Sequence, residues 1–361
     1  MPSANLLRWL ILLMVSIQSI NAAHAEVRWA LSASRAPRLR TMRQFGEDEI
    51  VLPEGPFAGR RLNTRRQPFT GLLLDAIDSR QWRRHAITGC VQSGKSLHGY
   101  VLPALYHLFE LKETTILGLP TMDMAKDKWR EEILPVIERS RYRHLLPDSG
   151  AGSRGGTVEA IKFKHGPTLK FMSGHGGDEK RSSFTARVVV VTEADKMDTA
   201  GEASRETSPL GQIEARTLAY GDQARVYLEC TVSIEQGAIW TEYNAGTRSR
   251  IACPCPHCGD YVTPDREDLV GWQPAKSAAD AKDLASWFCP ACGEAIDDDQ
   301  RVGMNAAGRI HGEPPRTDTL GFRWNAFNNL FWPTGMIAAG EWAAVRSKDP
   351  EDAERERRQF V

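Results

Sequence analysis

Gly89-Cys90-Val91-Gln92-Ser93-Gly94-Lys95-Ser96 fills every fixed position of the phosphate-loop pattern G-x-x-x-x-G-K-[ST]. Such a loop turns its backbone amides toward an anion, which demands conformations that a Cβ opposes, so glycines recur in it. The flanks suit it. Residues 86–88 read as a short strand, and Leu97, Val101, Leu105 and Leu108 as one face of a helix, with Pro103 early enough to be tolerated or to kink it. A helix that starts at the loop adds its positive end to the anion site. Lys95 is expected to reach the β- and γ-phosphates of ATP and the Ser96 hydroxyl to hold Mg2+, while Gly89, Gln92, Ser93 and Gly94 form the cradle.

Outward from the loop, residues 114–119 are β-branched and apolar, and an amphipathic helix is expected over about 122–139. Residues 157–163 and 168–172 read as strands joined by Lys164-His165-Gly166-Pro167, a hairpin. Residues 188–191 are four valines in a row, the composition of a central strand buried on both faces. Residues 224–230 are a further strand. Strands alternating with helices mean crossover connections, so the fold class is α/β, a P-loop NTPase whose mainly parallel sheet is flanked by helices.

Such an ATPase needs acids at the end of a buried neighbouring strand. Glu193, just past the valines, stands where a base that polarises the attacking water belongs. Thr192 precedes it, at the position of a magnesium-organising aspartate. A hydroxyl there hydrogen-bonds a magnesium-held water more weakly than a carboxylate does, and Asp195 is a second acid nearby.

Cys255-Pro-His-Cys258-Gly and Cys289-Pro-Ala-Cys292-Gly are near-identical knuckles, each placing two sulfurs on one tight turn. Together Cys255, Cys258, Cys289 and Cys292 offer the four tetrahedral ligands of a structural Zn2+, with Cys253 and His257 as spare donors. The expected organisation is an apolar segment and irregular basic arm over 1–66 and an ATPase core over 67–250. A zinc-ribbon-like insertion over 251–297 and a weakly patterned end of the ATPase region over 298–361 follow.

The chain has 361 residues, with 46 Lys plus Arg against 46 Asp plus Glu, 41% apolar and 25% charged residues. Those proportions exclude a wholly disordered, collagen-like or multi-span membrane chain. Zero net charge hides an asymmetry. Residues 1–100 carry 14 Lys/Arg and 7 Asp/Glu, a basic front end compatible with a polyanionic partner. Arg8, the apolar run that follows it and Ala23-His24-Ala25 look like a secretory signal. ATP and reduced thiols argue instead for the cytoplasm.

Loop, acidic strand end and double knuckle in this order, with Gly321-Phe322-Arg323-Trp324-Asn325 beyond them, resemble the large subunit of tailed-phage terminases of the lambda type, the GpA family. The resemblance implies an ATP-driven motor acting as a ring of subunits on double-stranded DNA, with a terminase small subunit and a portal as partners. It makes Lys95 and Ser96 the ATP and Mg2+ ligands, Glu193 the base and Thr231, in Glu229-Cys230-Thr231-Val232-Ser233, the γ-phosphate sensor. Arg181, in Lys180-Arg181-Ser182-Ser183, is a further cation that could reach phosphate or DNA, without a place as an arginine finger. Thr192 departs from the family's Asp-Glu pair, and the nuclease domain that follows the ATPase in the family is expected to be missing here. A helicase-like ATPase with a zinc module, or a nucleotide-binding adaptor with decayed catalysis, are the alternatives.

Overall fold

The computed structural model describes residues 22–28, 38–153, 157–175, 184–197, 208–232, 236–312 and 316–349. Residues 1–39 and 40–361 form two compact units. In the first, residues 22–28 are helical. The apolar run of the signal-like segment, Arg181 and the acids beyond residue 350 lie outside the described residues. Among the described residues no helix is long and apolar enough to cross a membrane.

The second unit is built on a seven-stranded sheet. Its strands in chain order are β1 (Arg84–Gly89), β2 (Thr115–Leu119), β3 (Ala160–Lys162), β4 (Thr168–Ser173), β5 (Val188–Thr192) and β6 (Arg225–Cys230). Two short sheets follow, formed by β7 (Arg250–Pro254), β8 (Tyr261–Val262), β9 (Leu269–Val270), β10 (Ser286–Phe288), β11 (Ala295–Ile296) and β12 (Arg309–His311), and the chain then returns to the large sheet as β13 (Thr319–Trp324). The spatial order is β13-β1-β6-β5-β2-β4-β3. Every neighbouring pair is parallel except the β3–β4 hairpin. The mainly parallel α/β reading therefore holds, with β5 in the middle of the sheet.

The run of valines has a direct physical reason. Val188 and Val190 enter one hydrophobic core and Val189 and Val191 the other, so helices cover both faces and no position along β5 meets water. Helical segments run without a break from Leu97 to Glu110 and from Met122 to Arg139. Pro103 and Pro135 each sit just after a stretch of wide i→i+5 turns, over Leu97–Val101 and Lys128–Ile133. A wide turn accommodates the missing amide and the ring that an ordinary helix interior would reject.

One stretch departs from the sequence reading. The arm over 27–66 is not irregular throughout, because Met42–Glu49 is a helix that buries Met42 and Phe45 in the larger core. Its start is fixed by a capping box in which the Thr41 hydroxyl accepts from the Gln44 amide and the Gln44 side chain returns to the Thr41 amide. Beyond the cysteine segment the chain returns to the large sheet, where β13 pairs along the whole length of β1. The cysteine segment is thus an insertion ahead of the last strand.

Phe45 tests that departure. It is 1% exposed and packs edge-on to Tyr106, ring centroids 5.6 Å apart. Phe45→Ala is expected to destabilise the protein by about 3–5 kcal/mol in urea unfolding. A loss under about 0.5 kcal/mol, the level of an ordinary surface site, would put residues 42–49 outside the cooperative core.

Candidate nucleotide site and cysteine cluster

Because β1, β6 and β5 are adjacent and parallel, the segments that follow them emerge at one edge of the sheet. The carboxyl edge is where open α/β sheets bind ligands. Here it gathers the phosphate loop after β1, Thr192 and Glu193 at the end of β5, and Glu229 and Thr231 at the end of β6.

Within the loop, Gln92 (φ 54°) and Gly94 (φ 81°) are left-handed while Ser93 between them is not. Alternating handedness curls successive amides to one side and makes an anion-binding nest. Gly94 needs its lack of a Cβ for that conformation; Gly89 needs it for space. A Cβ on Gly89 would lie 2.2 Å from the Trp324 ring, which sits beside it on β13. The Ser93 hydroxyl is already engaged, donating to the Cys90 carbonyl at 2.7 Å and accepting from Trp324 Nε1 at 3.0 Å. Ser93 therefore braces the loop with its side chain and faces an anion only with its amide.

Lys95 is buried, and its Nζ lies 2.7 Å from Glu229 Oε1. Burial works against the ammonium, but the Glu229 carboxylate outweighs it, with smaller help from Glu193, and raises the pKa above the ordinary lysine value. Thr192 is fully buried, and its Oγ1 donates to Glu229 Oε2 at 2.6 Å. Glu193 closes β5 in a left-handed conformation, φ 54°, ψ 45°, and pairs with Lys196 at 3.0 Å. Asp195 points elsewhere, its Oδ1 accepting from the Ile239 amide at 2.8 Å at the start of the helix Ala238–Ala245. Thr231 follows β6 directly, its carbonyl accepting from Cys230 Sγ.

Beside the loop is a cleft of about 410 Å³, lined by Gln92 to His98 together with Phe57, Arg66, Gln67 and Phe331. The Arg66 guanidinium lies 4.2 Å from the centroid of the Phe57 ring, and the Phe331 ring centroid lies 5.6 Å from the same ring. Gln67 Nε2 donates to Asn329 Oδ1 at 2.6 Å and its Oε1 accepts from the Leu330 amide at 3.0 Å, which joins the two walls. Glu229 and this aromatic wall were not singled out from sequence. Glu229 closes a strand as many solvated acids do, and the wall joins residues more than 250 positions apart.

The sulfurs of Cys255, Cys258, Cys289 and Cys292 lie within 4.8 Å of one another. Both knuckles have the same backbone: Gly259 (φ 80°) donates to the Cys255 carbonyl and Gly293 (φ 74°) to the Cys289 carbonyl, each at 2.9 Å. The Cys255 thiol is lowered to about 7; burial opposes this, but amides of Cys258 and His257 and the neighbouring thiols outweigh it. The two spare donors are not in the cluster. Cys253 is buried in the core, its thiol pushed up to about 12 by burial, and the His257 ring contacts the Ala295 carbonyl at 3.0 Å.

Residues 58–309 match the family model described as phage terminase large subunit gpA, ATPase domain. No curated protein matches the chain. Among solved structures, the large terminase of bacteriophage HK97 is similar at 13% identity with a TM-score of 0.43, over 56% of this chain and 40% of that one. The large terminase ATPase domain of Thermus phage P74-26 is similar at 12% identity with a TM-score of 0.45, over 86% of this chain and 99% of that one.

The Gly89–Trp324 contact makes a separate expectation. Gly89→Ala should destabilise the protein by about 1–3 kcal/mol in urea unfolding, because the buried indole has no room to retreat. Unchanged stability would mean that Trp324 is not what excludes a side chain at that position.

Proposed function

Because the chain belongs to the phage terminase large subunit gpA ATPase-domain family, we propose that it is the ATP-hydrolysing portion of a viral DNA-packaging motor acting on double-stranded DNA. The observation that carries this reading is the single carboxyl edge shared by Lys95, Thr192, Glu193 and Glu229. In this reading the amides of residues 89–96 cradle the triphosphate, and Gln92, Ser93 and Gly94 contribute through the backbone. Phe57, Arg66 and Phe331 form the wall for the adenine.

Lys95 meets the β- and γ-phosphate oxygens. Glu193 takes the proton of the water whose oxygen attacks the γ-phosphorus, as the bond from phosphorus to the β–γ bridging oxygen breaks. Ser96 would hold Mg2+, whose charge would offset that of the phosphates. Thr231 senses the γ-phosphate and passes its loss to the segment after β6.

The cysteine cluster fits structural Zn2+. Zn–S bonds of about 2.3 Å set the edge of a tetrahedron at about 3.8 Å, and Cys255 Sγ and Cys292 Sγ are 3.9 Å apart. A closed set of four thiolates stabilises its module and leaves no position for substrate. DNA is held through its phosphates, so binding weakens steeply with salt and shows little sequence preference. The motor works in the host cytoplasm as a ring of copies, with a small subunit and a portal as its protein partners.

Steady-state ATP hydrolysis with and without linear DNA tests the reading. DNA is expected to stimulate turnover, and Lys95→Ala and Glu193→Gln are each expected to lower it by about 100-fold or more. Tight ATP binding by the wild type without turnover would overturn the motor and favour a nucleotide-binding adaptor. For the cluster, elemental analysis should find about one Zn2+ per chain. Cys258→Ser should lose it and Cys253→Ala should keep it; purified soluble protein without zinc would refute the assignment.

A further inference from the structure

β5 and β6 are paired so that Thr192 stands opposite Glu229. At this point the sheet holds a carboxylate that is completely buried, between a hydroxyl on one oxygen and an ammonium on the other. Burying a carboxylate is expensive, and replacing such an ion pair by well-packed apolar groups is commonly neutral or stabilising, so structure alone gives weak grounds for it. The helix after the phosphate loop leaves room for it: a Cβ on Gly99 would lie 2.9 Å from Glu229 Cγ.

The other acids of this edge are occupied. Asp195 accepts from the Ile239 amide, and Glu193 lies beyond the strand end, paired with Lys196. Resting on the ATPase reading above, we propose that Glu229 is the positioning acid of the magnesium–nucleotide site, displaced one strand sideways from position 192, where the family resemblance leads one to expect an aspartate. The hydroxyl of Thr192 gives its single proton to Glu229, which leaves its lone pairs free to accept from a magnesium-held water. Glu229 thus supplies the negative charge, and Thr192 relays its pull as an oriented acceptor. The same carboxylate keeps Lys95 charged and in place beneath the loop.

Two carboxylates cannot share this space. Thr192→Asp by itself, which a restored Asp-Glu pair would recommend, puts a second anion against Glu229, and like charges that close do not both ionise. Thr192→Asp with Glu229→Val instead returns the site to a single acid on β5.

The test is equilibrium binding of a fluorescent ATP analogue to the full chain, with Mg2+ and with EDTA, and a thermal melt as the check on folding. Wild type should bind more tightly with Mg2+. Glu229→Gln should lose about 10- to 100-fold of the Mg2+-dependent affinity, the range for partners that orient metal ligands, with a smaller change in EDTA. Thr192→Asp alone should lose a similar factor, and the Thr192→Asp, Glu229→Val pair should recover most of it. That recovery is not expected of a residue that merely props up the fold. An unchanged Mg2+ increment in folded Glu229→Gln would overturn the proposal and leave Glu229 a counter-ion of Lys95. So would a double variant no better than Thr192→Asp. Absence of any nucleotide binding by wild type would overturn the ATPase reading and this proposal with it.

Discussion

A parallel sheet covered on both faces leaves its charged groups one place to gather, the carboxyl ends of its strands. The valines of β5 send alternate side chains into two separate cores, so neither face of the central strand admits an ion. Lys95, Thr192 and Glu229 accordingly meet where β1, β5 and β6 end side by side. Neither of the two charged groups is tenable there alone. An isolated carboxylate in such surroundings is penalised by several kcal/mol even after relaxation, and a buried lysine unopposed by an acid tends to lose its proton. Together they satisfy one another, so the ammonium beside the loop has its charge already balanced. On the proposed nucleotide reading, a triphosphate would take the place of Glu229 as the anion beside Lys95.

The edge is braced from a distance by the chain beyond the cysteine insertion. Trp324, on β13, stacks on Phe69 with ring centroids 4.5 Å apart and donates to the Ser93 hydroxyl inside the loop. Arg301, 2% exposed, gives its guanidinium to the carbonyls of Ala326, Phe327, Asn329 and Trp332. Those bonds fix the turn that carries Asn329, which in turn orients Gln67 at the cleft. Arg301 belongs to the helix Asp298–Ala306, which begins just after β11 of the cysteine module. Module and nucleotide cleft are thereby joined by a chain of buried hydrogen bonds rather than by one flexible connection.

The features legible from sequence were those whose physics is local. The phosphate loop, the valine strand and the two knuckles each carry their reason within eight residues or fewer, and the structure brings the four sulfurs of the two like knuckles together across a 30-residue gap. Features set by register or by distant packing were not legible. Arg225-Val-Tyr-Leu-Glu229-Cys230 reads as a strand with an acid near its end; nothing in that string says that residue 229 will lie opposite residue 192. Gly89 looked like a conformational requirement and proves to be a steric one, imposed by an indole 235 positions away. The helix over Met42–Glu49 did have a local signal, the Thr41-Met-Arg-Gln44 capping box, which the surrounding arginines and prolines obscured.

Backbone strain marks the same edge. Gln92 and Glu193 are two of the five described residues other than glycine with positive φ, one inside the loop and one at the end of β5. Each such residue is penalised by roughly 1 kcal/mol or more, and persists only where its surroundings over-determine it. For Glu193 that surrounding is the short helical turn Ala194–Lys196, which begins at once and holds Lys196 back against the carboxylate. A relaxed extended residue at 193 would continue the strand and send its side chain toward one of the two cores, where a charge has no partner. The left-handed turn instead ends the strand and keeps the carboxylate partly in water, paired with Lys196. The two acids differ in surroundings accordingly. Glu229 is sealed inside the sheet, whereas Glu193 stands at the rim, where on the proposed reading it would meet the attacking water.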